Sequence, residues 1–191
     1  DPLRGGLFEN LMINELVKDT RANKAIPSLN PSLNKRLEMI PINSTIKNLV
    51  NEHKLAAKNK GIEIVFTRTL RETDSINGEL TAFYQIMENL ISNGIKYSSP
   101  GTCIEIACVL VEDEIIISVK DQGQGLSDED KKHIFGKGVR LSARPTGGEQ
   151  STELGLYSVK KLLQQMNGKI SAQSDGKDQG STFSVSFKKV Q

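Results

Sequence analysis

Apolar residues recur every three or four positions between residues 80 and 97. Leu80, Phe83, Met87, Leu90 and Ile91 fall on one face of a helix turning about 100° per residue, while Asn89, Asn93 and Lys96 fall on another. The pattern predicts a helix that is core on one side and a polar shelf on the other. Residues 43–60 repeat the period, with Ile46, Leu49, Val50, His53, Leu55 and Ala57 set among lysines and Gly61 as the stop. In residues 154–167, Leu156, Val159, Leu163 and Met166 share a face, and Gly168 ends the run.

Period-two alternation predicts the strands. Residues 37–40 read as a first strand, residues 62–66 as a second, and Ile76-Asn77-Gly78 as the turn into the central helix. Residues 102–110 and 114–120 form a hairpin across Glu112-Asp113, and residues 169–174 and 181–188 form another. About three helices and five or six strands predict a two-layer α/β sandwich with a mixed, mostly antiparallel sheet. Residues 127–152 hold four glycines, one proline and few apolar side chains, too little apolar surface to offset the entropy of ordering, so they are expected to be mobile. Upstream, Phe8, Leu11, Met12 and Leu16 make a helical stripe that cannot bury itself, and Pro27 and Pro31 mark a linker.

Composition narrows the classes. At 191 residues the chain holds one core with an appendage. With 25 basic and 23 acidic residues the net charge is +2, too balanced for nucleic acid or an anionic bilayer as the main partner. No apolar run approaches the roughly 20 residues of a membrane span, and no signal peptide is evident, so a cytoplasmic piece is expected. Whether the full-length protein is membrane-anchored is left open. Cys103 and Cys108 fall on opposite faces of one strand and cannot readily pair, and two histidines without ligand spacing predict no zinc site. Asn43-Ser44-Thr45 matches a glycosylation acceptor but reads better as a helix start.

Two stretches carry candidate chemistry. Asn89 and Asn93, one turn apart with Lys96 beside them, suit a magnesium-bound polyphosphate: carboxamide oxygens meet a hard cation and the ammonium meets phosphate. Ordinary surface asparagines on an amphipathic helix satisfy the same pattern. Asp121-Gln122-Gly123-Gln124-Gly125 follows the apolar run Ile115-Ile116-Ile117-Ser118-Val119, placing a carboxylate at a strand end before two glycines. Such a carboxylate can accept from the exocyclic amine of adenine, and glycines admit a flat ring close to the backbone. A tight turn explains D-x-G-x-G equally well.

Four motifs stand in register: N-L-I-S-N-G-I-K-Y-S from Asn89, D-x-G-x-G from Asp121, Ile134-Phe135, and L-G-L-Y-S-V-K-K from Leu154. Their order and spacing resemble the N, G1, F and G2 boxes of the ATP-binding domain of sensor histidine kinases, in the gyrase, chaperone and histidine-kinase superfamily with the Bergerat fold. The resemblance covers roughly residues 37–188. It implies ATP and magnesium as cofactors, with Asn93 as metal ligand, Asn89 and Lys96 serving the transfer step, and Lys96 and Arg140 contacting phosphate. Tyr97 would pack beside the nucleotide, Asp121 would read the adenine amine, and Gly123 and Gly125 would make room for the ring. Ile134 and Phe135 would anchor a lid over residues 122–152. Thr152, Leu154, Gly155, Leu156 and Thr182 would complete the nucleotide contacts, the helix start near Gly155 facing phosphate.

The resemblance also divides the chain, with residues 1–34 as the end of a dimerising helical hairpin plus linker and residues 35–191 as the ATP-binding domain. A helix packing back on its own domain is the alternative for the first segment. His53 precedes Lys54 and His133 precedes Ile134, so neither has the acidic neighbour expected of the phosphoacceptor, and that histidine is expected upstream. The implied partners are a histidine-bearing domain of the same or a partner chain, a response regulator, and a second copy in a full-length homodimer.

One position separates transfer from hydrolysis. ATPases of this superfamily place a glutamate four residues before the magnesium asparagine, where this chain has Asn89, and a carboxamide is a poor general base. Phosphoryl transfer to a histidine outside the fragment is therefore expected. Glu88 is expected about 100° round the helix from Asn89, toward the core. Two departures favour an alternative, a degenerate nucleotide-sensing module: Ser151-Thr152-Glu153 replaces a glycine-rich stretch, and Gly138 stands where a second phenylalanine is usual. A carboxylate about 4 Å from a phosphate charge costs on the order of 1 kcal/mol in water and about 4 at intermediate dielectric, so an inward Glu153 would weaken binding. A serine kinase of the anti-sigma-factor type leaves the upstream helix without a use, and no P-loop motif is present.

Overall fold

The computed structural model describes residues 37–139, 141–148 and 154–190. The expected upstream helix and linker, together with Arg140, Ser151, Thr152 and Glu153, lie outside them. The elements run β1 (Glu38–Pro41), α1 (Ile42–Asn59), β2 (Glu63–Arg68), β3 (Ser75–Gly78), α2 (Leu80–Tyr97), β4 (Cys103–Val111), β5 (Glu114–Asp121), α3 (Asp128–His133), α4 (Gly155–Gln165), β6 (Lys169–Gln173) and β7 (Ser181–Lys188). Five strands form one sheet in the order β2-β4-β5-β7-β6, while β1 and β3 pair separately. Only the β2–β4 pair of the large sheet is parallel, so it is mixed and mostly antiparallel as the pattern predicts.

The stretch Ile76-Asn77-Gly78 differs from its expected turn. It is part of β3, with Ile76 opposite Ile40 and a further bridge from Ile76 to Lys189. Both partners are distant in sequence, and four residues are too few for alternation to show.

Helices α1, α2 and α4 pack on the sheet and on one another. Strand alternation supplies the facing side: Ile104, Ile106 and Cys108 of β4, Ile115, Ile117 and Val119 of β5, and Phe183, Val185 and Phe187 of β7 are all buried. Cys103, on the opposite side of β4, is half-buried, and both thiols are free. The centre of this layer is α2, whose Phe83, Ile86, Met87, Leu90 and Ile91 are 0 % exposed. Phe83 meets Phe187 with ring centroids 5.7 Å apart and planes tilted by 54°. Gly94 brings the helix backbone close to β4: a Cβ there would sit 3.2 Å from Ile104 Cδ1.

The end of α2 is capped by another helix's neighbour. Lys60, just past α1, donates from Nζ to the carbonyls of Ile95 (2.8 Å) and Lys96 (2.9 Å). Those carbonyls lack intrahelical partners, and the negative end of the helix dipole favours a cation there.

Because α2 buries its apolar side in the core, Leu90→Ala should lower the unfolding free energy by about 2–5 kcal/mol, whereas Gln85→Ala on the exposed side should stay within about 0.5. Urea unfolding of both variants, followed by circular dichroism, measures the contrast.

Candidate functional site

The polar side of α2 and the end of β5 meet at a narrow recess, partly open to solvent. It is lined by Asn93 and Tyr97 of α2, Asp121, Gln124, Gly125 and Leu126 after β5, Leu141 and Ala143, Leu156 of α4, and Ser181 and Phe183 of β7. The predicted residues Asn93, Tyr97, Asp121, Gly125 and Leu156 are thus brought together.

Asp121 is the most constrained group. It is 6 % exposed, and its Oδ1 accepts from the backbone amides of Gly123 (2.8 Å) and Ser181 (3.2 Å). Burial pushes its carboxyl up to about 6, against the pull of those two amides. Oδ2 takes no part in either bond.

The loop after Asp121 is clamped by the segment between β6 and β7. Gly180 donates to the Gly123 carbonyl (3.1 Å), Asp178 donates to that of Gln124 (2.7 Å), and Leu126 donates to Ser174 Oγ (3.0 Å). Gly123 lies so close to the end of α2 that a Cβ would be 2.6 Å from the Tyr97 carbonyl oxygen. Gly125 has φ +68°, and a side chain there would run into the Gly176 carbonyl. Both glycines are therefore structural requirements of the recess.

On α2, Asn93 Nδ2 donates to Asn89 Oδ1 (3.3 Å). This bond holds the carboxamide of Asn93, whose side chain is part of the lining of the recess. Asn89 lies beside the recess rather than in its lining, in a shallow depression with Gln85, Glu88, Ser92, Ser158, Val159 and Leu162. Gly155 rests against it: a Cβ at Gly155 would be 2.7 Å from Asn89 Oδ1. Glu88 is exposed, contrary to its expected tilt toward the core. The apolar stripe runs through Phe83, Met87, Leu90 and Gly94, and Glu88 falls outside it.

Other expected contacts sit apart. Lys96 is half-buried in the last turn of α2, outside the lining. Leu154 is 49 % exposed and precedes α4. Thr182 does not line the recess, because its neighbours Ser181 and Phe183 do and alternation turns Thr182 to the other face of the sheet. Ile134 is buried in the core and Phe135 packs against it, an anchoring position for the segment that follows.

That segment is more built than its composition suggests. Helix α3 opens with a capping box in which Ser127 and Asp130 bond reciprocally, acidic residues fill its first turn and basic residues its last. Asp130 is 8 % exposed. Burial alone would raise its carboxyl, but bonds from Ser142 and Ser127 outweigh that and hold it at about 2. Gly138 is open to solvent with φ +66°.

Residues 78–191 match the family model of histidine kinase-, DNA gyrase B- and HSP90-like ATPases. The sensor protein SrrB of Staphylococcus aureus is 29% identical over 181 residues, covering 94% of this chain but only 29% of the relative. The chain thus spans under a third of that protein's length. Full-length ShkA, solved in complex with AMPPNP, superposes with a TM-score of 0.72 at 20% identity over 84% of this chain and 33% of that one. The catalytic domain of the histidine kinase ThkA gives 0.69 at 21% identity, over 80% of this chain and 95% of that one.

The raised Asp121 carboxyl has a measurable consequence. Between about pH 4 and 6 the folded chain keeps a proton that the unfolded chain releases, so this group's contribution to stability is full below about pH 4 and lost as pH rises to 6. Relative to Asp121→Asn, the unaltered chain should therefore lose about 1–3 kcal/mol of unfolding free energy between pH 4 and pH 7. Paired urea titrations at several pH values give the difference; a pH-independent gap would contradict the assignment.

Proposed function

This chain belongs to the histidine kinase-, DNA gyrase B- and HSP90-like ATPase family, and on that premise we propose that it is the ATP-binding, phosphoryl-donating domain of a two-component sensor histidine kinase. The observation that carries the reading is a buried carboxylate, Asp121, lining one recess with a fixed carboxamide, Asn93. At the ring, Asp121 accepts from the adenine amine, a donor guanine lacks at that position, while Leu126, Leu156 and Phe183 supply apolar walls. AMPPNP, an ATP analogue, is bound in one structure of the same fold.

At the phosphates, Asn93 offers an oxygen to a hard cation, because its nitrogen is engaged by Asn89. Magnesium, when bound with the nucleotide, neutralises phosphate charge. Asn89 orients Asn93 and lacks the basicity to activate water, which favours transfer over hydrolysis. Lys96, Arg140, Thr152 and the amides at the start of α4 near Gly155 are the proposed phosphate contacts. The acceptor is a histidine on a helical hairpin of which residues 1–34 form the end. A response regulator then receives the phosphoryl group, and the full-length protein works as a homodimer with this domain in the cytoplasm.

Calorimetry with ATP should show binding that depends on magnesium, and Asn93→Ala should raise Kd by about tenfold or more while abolishing that dependence. Asp121→Asn should narrow the preference for ATP over GTP, since an amide can donate to the guanine carbonyl. Unchanged affinity in both variants would refute the site. Labelling of the full-length protein from γ-labelled ATP separates a kinase from a nucleotide sensor.

A further inference from the structure

Ser174, the residue that follows β6, stands where two loops meet. Its Oγ accepts from the Leu126 amide (3.0 Å) and donates to the Gly180 carbonyl (2.6 Å). The Gly176 amide (3.3 Å) adds a second donor to the oxygen, and the Gly176 carbonyl (3.1 Å) is a second, longer acceptor for the one proton. A single hydroxyl thus has its whole bonding capacity engaged inside this junction.

The two segments it joins are the two that hold Asp121. One amide on Asp121 Oδ1 comes from Gly123, three residues before Leu126, and the other from Ser181, the residue after Gly180. Neither residues 122–127 nor residues 174–180 belong to a helix or strand, so their spacing depends on the bonds that cross between them. Two of those run from backbone to backbone, Gly180 to Gly123 and Asp178 to Gln124, and Ser174 adds the tie from a side chain. The fit has no slack: Gly125 abuts the Gly176 carbonyl and Gly180 abuts the Asp121 carbonyl, each too closely for a Cβ. Because Oδ1 is held by both amides, their spacing sets where Oδ2, engaged by neither, is directed.

Resting on the nucleotide reading above, we infer that Ser174 is a positioning residue for base recognition: its hydroxyl holds the loop after β5 against the start of β7 and so sets the direction from which Asp121 meets the exocyclic amine of adenine. Ser174 acts through Asp121 and is outside the lining of the recess. Its influence falls on the choice of base and leaves the phosphates, which ATP and GTP share, as they were.

The test measures Kd for ATP and GTP, with magnesium, by calorimetry on the 191-residue chain. Ser174→Ala removes the bonds to Leu126 and Gly180, and with each such bond worth roughly two- to tenfold, Kd for ATP should rise about five- to thirtyfold while Kd for GTP changes by less than about twofold. Ser174→Thr keeps the hydroxyl and should retain most of the preference for ATP. In a chain that already carries Asp121→Asn, Ser174→Ala should lower the preference no further, because the two changes act on one contact. If ATP and GTP weaken by the same factor, Ser174 serves stability alone and the positioning role is refuted while the nucleotide site stands. An unchanged preference in Ser174→Ala, a loss in Ser174→Thr equal to that in Ser174→Ala, or losses that multiply in the double variant also overturn it. Failure of the unaltered chain to prefer ATP removes the reading on which the inference rests.

Discussion

The burial of one side of α2 against the sheet fixes everything polar about this domain. With Phe83, Ile86, Met87, Leu90 and Ile91 sealed beneath it, the helix has no rotational freedom, and Asn89 and Asn93 are held where the apolar stripe leaves them. Close packing makes that constraint stiff: a rotation large enough to redirect a carboxamide would open voids around several side chains at once. The Lys60 ammonium at the helix end adds axial restraint to the rotational one.

A second constraint acts on Asp121. Burying a carboxylate is costly unless hydrogen bonds compensate, and here two backbone amides compensate partly, leaving the group less acidic than usual. The amides come from either end of the chain's connectivity, one from the loop after β5 and one from the start of β7. The carboxylate is thereby a junction between the loop, the sheet and the hairpin that follows, and the glycines at 123 and 125 are what allow so many backbones to converge there.

Much of this was legible in sequence, for reasons that differ by element. Helices α1, α2 and α4 and both hairpins followed from periodicity, because long amphipathic segments carry many repeats of one signal. Strand β3 was not legible, since four residues give no period and its partners, Ile40 and Lys189, are remote. The hydrogen bonds made by residues 141–146 leave no trace in apolar content, the measure by which residues 127–152 are expected to be mobile. The Ser127 and Asp130 capping box was there to be seen, with acidic residues opening α3 and basic ones closing it. Asn93, Tyr97, Asp121, Gly125 and Leu156 could be placed at the site because motif spacing maps onto fixed elements. Gln124, Leu126, Leu141, Ala143, Ser181 and Phe183 could not, because their part in the recess depends on which strands and segments end side by side. For Ser181 and Phe183, strand parity alone would have indicated the right face, and would have moved Thr182 off it.

The pairing of β5 with β7, and of Asp121 with Ser181 in particular, sets an order of events during synthesis. A growing chain that has reached the end of α4 already possesses the central helix, the strand that Asp121 closes and most of the core. It still lacks the amide that completes the carboxylate's shell and the backbone that clamps the following loop. The ligand recess is thus completed late, and a ribosome must deliver the start of β7 before any occupant can find a place.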